Sequence, residues 1–155
     1  MDAVGRTVVD LYREEILEHW RNPQNFGQIE KADLVIDQIN PLCGDEVRFF
    51  FRFEKKGNPK STFREKTRSK RAIQNPKIEE ISFTGNGCAI SIAAASMLTD
   101  FVKGKKVSVL SKITGNDVLE LIGGPVAPAR LKCAFLSLEA LRVAQGKLGR
   151  YKLLK

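Results

Sequence analysis

Apolar side chains recur at helical spacing in the first part of the chain. Val8, Leu11, Tyr12, Ile16, Leu17 and Trp20 are separated by charged residues, which predicts an amphipathic helix from about Val8 to Trp20. Pro23 and Gly27 in "RNPQNFG" end it in a loop. The period then changes. "LVIDQIN", from Leu34 to Asn40, predicts a strand stopped by Pro41, and "EVRFFFRFE" after it alternates. Val47, Phe49, Phe51 and Phe53 share one face of that second strand, with Glu46, Arg48, Arg52 and Glu54 on the other. Phe50 interrupts the polar face and predicts partial cover there. "IEEISFT", residues 78 to 84, is a third strand with Ile81 and Phe83 facing together.

Helical spacing returns in "TGNGCAISIAAASMLTDFVKGK", where Ile90, Ala94, Met97, Leu98 and Phe101 predict a small-residue helix that can pack closely on a sheet and ends near Gly104. A short helix around Asp117 to Ile122 is capped by Thr114 or Asn116. The last helix starts near Pro128 or Ala129 and runs to about Gln145, with Leu131, Ala134, Phe135, Leu138 and Leu141 as its apolar stripe. Strands first and helices later, joined by short links, predict an α+β fold: a small antiparallel three-stranded sheet covered on one face by helices.

A chain of 155 residues is long enough to bury a core as one domain, taken as residues 1–155, without disulfide staples. The net charge of +8 suggests nucleic acid until it is mapped. Residues 55 to 77, "KKGNPKSTFREKTRSKRAIQNPK", hold nine Lys or Arg and one Glu, and the remainder holds 17 basic and 17 acidic residues. The basicity therefore belongs to one insertion between the second and third strands, read as a solvated hairpin extension, with docking to an acidic partner as the lesser alternative. The balanced body argues against a nucleic-acid partner, and Phe63 is the only aromatic among the inserted charges. The N-terminus lacks the charged and apolar regions of a secretory signal, and no uncharged apolar run could span a bilayer. With three cysteines, an odd number, the expectation is a cytoplasmic protein with free thiols and no membrane partner.

Free cysteines often act as small apolar core residues, but such residues lie mid-element on an apolar stripe. Here all three sit at element ends beside Gly, Asp or Lys. Cys43 lies in a tight link where Gly44 lets the chain fold sharply and Asp45 opens the next strand. Cys88 opens a helix after "TGNG", where free N–H groups and the helix dipole favour a thiolate. Cys133, beside Lys132, falls in the first turn of the last helix, where a thiolate is favoured for the same reason. Three thiolates and one carboxylate are ligands that zinc, or the iron of an iron-sulfur cluster, accepts. Spacings of 45 and 45 residues do not by themselves establish that they converge.

Four stretches carry a family resemblance: "LYREEILEHWRNPQNFG", "NPLCGDEVRFFF", "GNGCAISIAAASML" and "PARLKCAFLSLEAL". The chain resembles the iron-sulfur cluster assembly scaffolds of the IscU, SufU and NifU N-terminal type. The resemblance implies a SufE/IscU-like sandwich in which Cys43, Asp45, Cys88 and Cys133 bind iron in a transient [2Fe-2S] cluster, or Zn2+. It implies a cysteine desulfurase partner that delivers persulfide sulfur, with Cys133 as the acceptor, and apo iron-sulfur proteins that receive the cluster. Such a protein is a scaffold rather than a turnover enzyme. In IscU-like members a histidine precedes the third cysteine. Lys132 stands there in this chain, as in the SufU branch, so the alternative is a zinc-dependent persulfide acceptor for a SufS-type desulfurase. The chaperone-recognised "LPPVK" of IscU-like members is here "VAPAR", Val126 to Arg130. His19, the single histidine, is read as a packing or surface residue.

Overall fold

A computed structural model describes residues 8–54 and 76–153, with side chains over 13–54 and 76–149. Three strands, β1 (Leu34–Ile39), β2 (Glu46–Phe53) and β3 (Ile78–Asn86), form an antiparallel sheet in the order β1-β2-β3. Among the described residues four helices accompany it: α1 (Val8–Arg21), α2 (Ala89–Val102), α3 (Gly115–Leu121) and α4 (Leu131–Leu153). This is the expected α+β architecture. Of the basic insertion expected over 55–77, residues 55–75 lie outside the described residues, as do the side chains of Val8, Leu11 and Tyr12.

The period-2 pattern of β2 makes it the centre of the core. Val47, Phe49 and Phe51 are buried on one face, and the register sets Phe49 between Ile36 and Phe83 and Phe51 between Leu34 and Ile81. The Phe49 and Phe83 rings stack at 6.0 Å, within the usual range for aromatic pairs. Ile92, Ala95, Leu98 and Val102 of α2, with Leu136, Ala140, Leu141 and Ala144 of α4, close over this face. Phe50 is buried on the opposite face, opposite exposed Val35 and buried Ser82, so that face is partly covered as its sequence implied.

Small residues let α2 be buried nearly all round, from Ser91 to Thr99. The expected stripe is consequently split. Ala94 and Met97 join Ile122 and Ala134 in a second cluster, Leu98 enters the sheet-facing core, and Phe101 is exposed beneath the Lys105 ammonium, 3.3 Å from its ring centroid. α1 packs along α2, where Ser96 Oγ lies 2.7 Å from His19 Nδ1 and accepts from the Gln24 N–H. Trp20, expected on the apolar stripe, is exposed at the end of α1. The following loop is held on β3, with the Gly27 N–H on the Phe83 carbonyl and the Phe83 N–H on the Asn25 carbonyl.

Two element ends and one extra turn depart most from expectation. β3 continues past Thr84 to Asn86 because Gly85 lets its backbone pass close to Glu46: a Cβ there would lie 2.7 Å from the Glu46 carbonyl oxygen. A 3-10 turn at Val107–Ser111 buries Val107 and Leu110, too short a segment to show a period. α4 runs beyond Gln145 to Leu153 because Gly146 and Gly149 weaken a helix without stopping it.

Candidate metal centre

The centre lies where the β1–β2 turn meets the end of β3 and the start of α2. Asn40 organises the turn: its backbone N–H donates to the Asp45 carbonyl, its carbonyl accepts from the Gly44 N–H, and its side-chain oxygen accepts from the Leu42 N–H. Gly44 supplies the left-handed residue the reversal needs, with φ of 74°. Cys43 is left exposed while Asp45 is turned inward to 8% exposure. On the other side, Gly87 admits the Asp45 side chain: a Cβ on Gly87 would stand 3.0 Å from Asp45 Cγ. Cys88 is the N-cap of α2, in extended backbone, and its thiol makes no capping hydrogen bond.

Three of the four expected ligands form one group. Cys43 Sγ, a carboxylate oxygen of Asp45 and Cys133 Sγ all lie within 4.8 Å of one another. The Cys43 and Cys133 sulfurs are 3.9 Å apart, and a tetrahedral ion with metal–sulfur bonds of about 2.3 Å needs roughly 3.8 Å between its sulfurs. Cys88 is outside that tight group but borders it, near enough for its thiol and backbone N–H to act on the Asp45 carboxylate and for its thiol to act on Cys133. The donor set suits zinc or iron, three soft sulfurs with one oxygen.

Burial acts to raise the Asp45 pKa, but hydrogen bonds from Ser91, Cys43 and Cys88 outweigh it and hold the carboxyl below its usual range. Cys133 behaves in the opposite way to the sequence expectation. Burial, then the neighbouring Cys88 and Cys43, push its thiol up to about 12. The helix start does not make it a thiolate in the metal-free protein, because α4 is entered through a 3-10 turn at Pro128–Arg130 and the residue is only 3% exposed. Lys132 is exposed on the rim, where it lines a shallow concavity with Ile39, Leu42 and Glu139. His19 is not at the centre; it faces Ser96.

Two contributors escaped the sequence reading. Ser91 is fully buried and donates to Asp45 Oδ2 at 2.5 Å. Its signal was a hydroxyl three residues after a helix-opening cysteine, the position from which a side chain reaches back to the N-cap. Asn40 was read only as the end of a strand.

Fold and site define a small α+β protein with a thiol-rich, partly exposed group of candidate metal ligands drawn from a turn and two helix starts. The NifU-like N terminal domain model matches residues 11–63 and 66–152, and the chain belongs to this family. It is 37% identical over 133 residues to the iron-sulfur cluster assembly scaffold protein IscU of Aquifex aeolicus, covering 86% of this chain and 73% of that one. It is 32% identical over 154 residues to the zinc-dependent sulfurtransferase SufU of Bacillus subtilis, covering 88% of this chain and 90% of that one. The crystal structure of the N-terminal part of a nitrogen-fixing NifU-like protein from Brucella abortus shares the fold, with a TM-score of 0.60 at 18% identity over 90% of this chain and 96% of that one. Among the described residues no helix is long and apolar enough to cross a membrane.

Proposed function

We propose that this protein is an iron-sulfur cluster assembly scaffold, in which Cys43, Asp45, Cys88 and Cys133 hold iron while a labile [2Fe-2S] cluster is built and then handed to apo-proteins. The convergence of Cys43, Asp45 and Cys133 within 4.8 Å, with Cys88 bordering the same carboxylate, carries this reading. An iron-sulfur cluster bound here is cargo. Residues from loops and element ends suit such a role, since one oxygen among three sulfurs leaves a ligand that exchanges readily. Free thiols so close together need a reducing compartment, which supports the cytoplasm as the place of work.

The partner is a cysteine desulfurase. Exposed Cys43 is the sulfur its persulfide meets first: a Cys43 thiolate attacks the outer sulfur, the S–S bond of the donor breaks, and the donor leaves as a thiolate. Cys133, 3.9 Å from it, is the acceptor that receives that sulfur in turn: its thiolate attacks the outer sulfur of the Cys43 persulfide, that S–S bond breaks, and Cys43 is released as a thiolate. Its buried thiol gives up its proton as a metal ion is bound, because ligation requires the thiolate. The protein acts as an acceptor and template rather than as an enzyme that turns over a small-molecule substrate.

Anaerobic reconstitution with iron and desulfurase-generated sulfide is expected to give thiolate-to-iron charge-transfer absorption that Cys88→Ser abolishes. A colourless protein contradicts the scaffold reading. A second reading uses the same ligands for zinc, with a cysteine leaving the metal to take the persulfide. Lys132 before Cys133 and the 90% coverage of the Bacillus subtilis SufU favour it. Stoichiometric zinc in freshly purified protein, with strong activation of a desulfurase, separates it from the first.

A further inference from the structure

We propose that Ser91 is a positioning residue of the metal centre, whose hydroxyl fixes the Asp45 carboxylate so that a single oxygen, Oδ1, is offered to the metal. This rests on the metal-binding reading above. Ser91 is fully buried in the first turn of α2, a helix covered on nearly all sides, so its hydroxyl is anchored more firmly than the turn that carries Asp45. It donates to Asp45 Oδ2 at 2.5 Å and lies 3.4 Å from Cys88 Sγ, so one side chain borders two ligands from two different elements. Burial alone does not explain this contact. Among the described residues, the hydroxyls of Ser82 and Ser137 are also buried but make no hydrogen bond to a protein group, whereas that of Ser91 is paired with a candidate ligand.

A carboxylate on a turn can rotate about its terminal bond and bind a metal through one oxygen or two. With Oδ2 occupied by the Ser91 hydroxyl, the one-oxygen mode is selected and the carboxylate plane is set before the metal arrives. Groups that orient ligands in this way are typically worth about 10- to 100-fold in metal affinity. The adjacent Cys88 contact ties the same hydroxyl to the sulfur outside the tight Cys43–Asp45–Cys133 group, so Ser91 links that sulfur to the group.

The test is cobalt(II) titration of the metal-free protein under anaerobic, reducing conditions, with affinity from chelator competition and ligand geometry from the visible d–d bands. Ser91→Ala is expected to bind one cobalt at least about tenfold more weakly than wild type, with shifted d–d bands. Ser91→Thr, which keeps the hydroxyl, is expected to restore both. Ser96→Ala, on the same helix and away from the centre, is expected to match wild type. In an Asp45→Ala background the Ser91→Ala change is expected to lose most of its effect, because its action passes through that carboxylate.

Wild-type affinity and bands in Ser91→Ala overturn the inference, as does an undiminished effect in the Asp45→Ala background. Should Ser91→Ala not fold, a folded Ser91→Thr with wild-type affinity and bands supports the inference, and one bound tenfold more weakly with shifted bands overturns it. Wild-type protein that takes up no cobalt overturns the metal-binding reading itself, which distinguishes that failure from the failure of the role given to Ser91.

Discussion

Gly87→Ala probes how closely β3 and the Asp45 turn must approach. A Cβ at position 87 would lie 3.0 Å from Asp45 Cγ, 3.2 Å from its Cβ and 3.3 Å from Oδ1, all shorter than ordinary contact. Gly87 is not among the glycines with positive φ, so alanine meets no backbone penalty there. Two effects then compete. Overpacking at a well-filled site costs about 1–3 kcal/mol, while alanine's smaller unfolded-state entropy stabilises by about 0.4–1 kcal/mol. Asp45 is held on its far side by Ser91, so it yields poorly and the strain wins. A net loss of about 1 kcal/mol follows, or a fall in Tm of about 2–4 °C for a chain of this size. Urea unfolding of the metal-free protein at pH 7 with reductant measures it, alongside zinc affinity by chelator competition, expected to fall about tenfold or more because the carboxylate is displaced. In Asp45→Ala the contacts with Cγ and Oδ1 vanish and only the Cβ contact remains, so the penalty of Gly87→Ala is expected to shrink. Unchanged stability together with wild-type zinc affinity in Gly87→Ala refutes the close approach on which this reasoning depends.

Other outcomes follow from the same geometry. The Asp45 carboxyl is held below its usual range, so its contribution to stability is present above the unfolded value of about 3.9 and is lost as pH falls through the lower folded value; Asp45→Asn is expected to flatten the acid limb of a denaturation midpoint against pH. Cys133 runs the other way. With its folded pKa pushed up to about 12, its contribution is intact below the unfolded thiol value and is lost as pH rises toward the folded one. Cys133→Ala in the metal-free protein is therefore expected to lose less stability than wild type between about pH 8.5 and 10.5. Thr114 and Asp117 form a reciprocal capping box at the start of α3, and Thr114→Ala is expected to cost about 1 kcal/mol, read from chemical denaturation, with the centre's zinc affinity unchanged.

Strand positions were legible because burial on one face imposes a period of two, and β2 keeps that period through Val47, Phe49 and Phe51. The small-residue helix was legible as a helix but not in its facing. Its surroundings on several sides leave no single stripe to read, and Phe101 was misplaced for that reason. Cys43, Asp45, Cys88 and Cys133 stood out because each lies at an element end beside turn-forming or charged residues. The electrostatics of Cys133 were not readable, because its proton affinity depends on burial and on two sulfurs that are 45 and 90 positions away in the chain. Ser91 went unread for a related reason: its spacing from Cys88 marks at most a helix start, and its meaning comes from a carboxylate 46 residues earlier.

The most direct test of the central claim is X-ray absorption at the zinc edge on protein loaded with one equivalent of zinc. Ligation by Cys43, Asp45, Cys88 and Cys133 is expected to give three sulfurs at about 2.3 Å and one oxygen at about 2.0–2.2 Å, with one sulfur lost in Cys88→Ser. A shell dominated by nitrogen and oxygen, or one unchanged by Cys88→Ser, contradicts it.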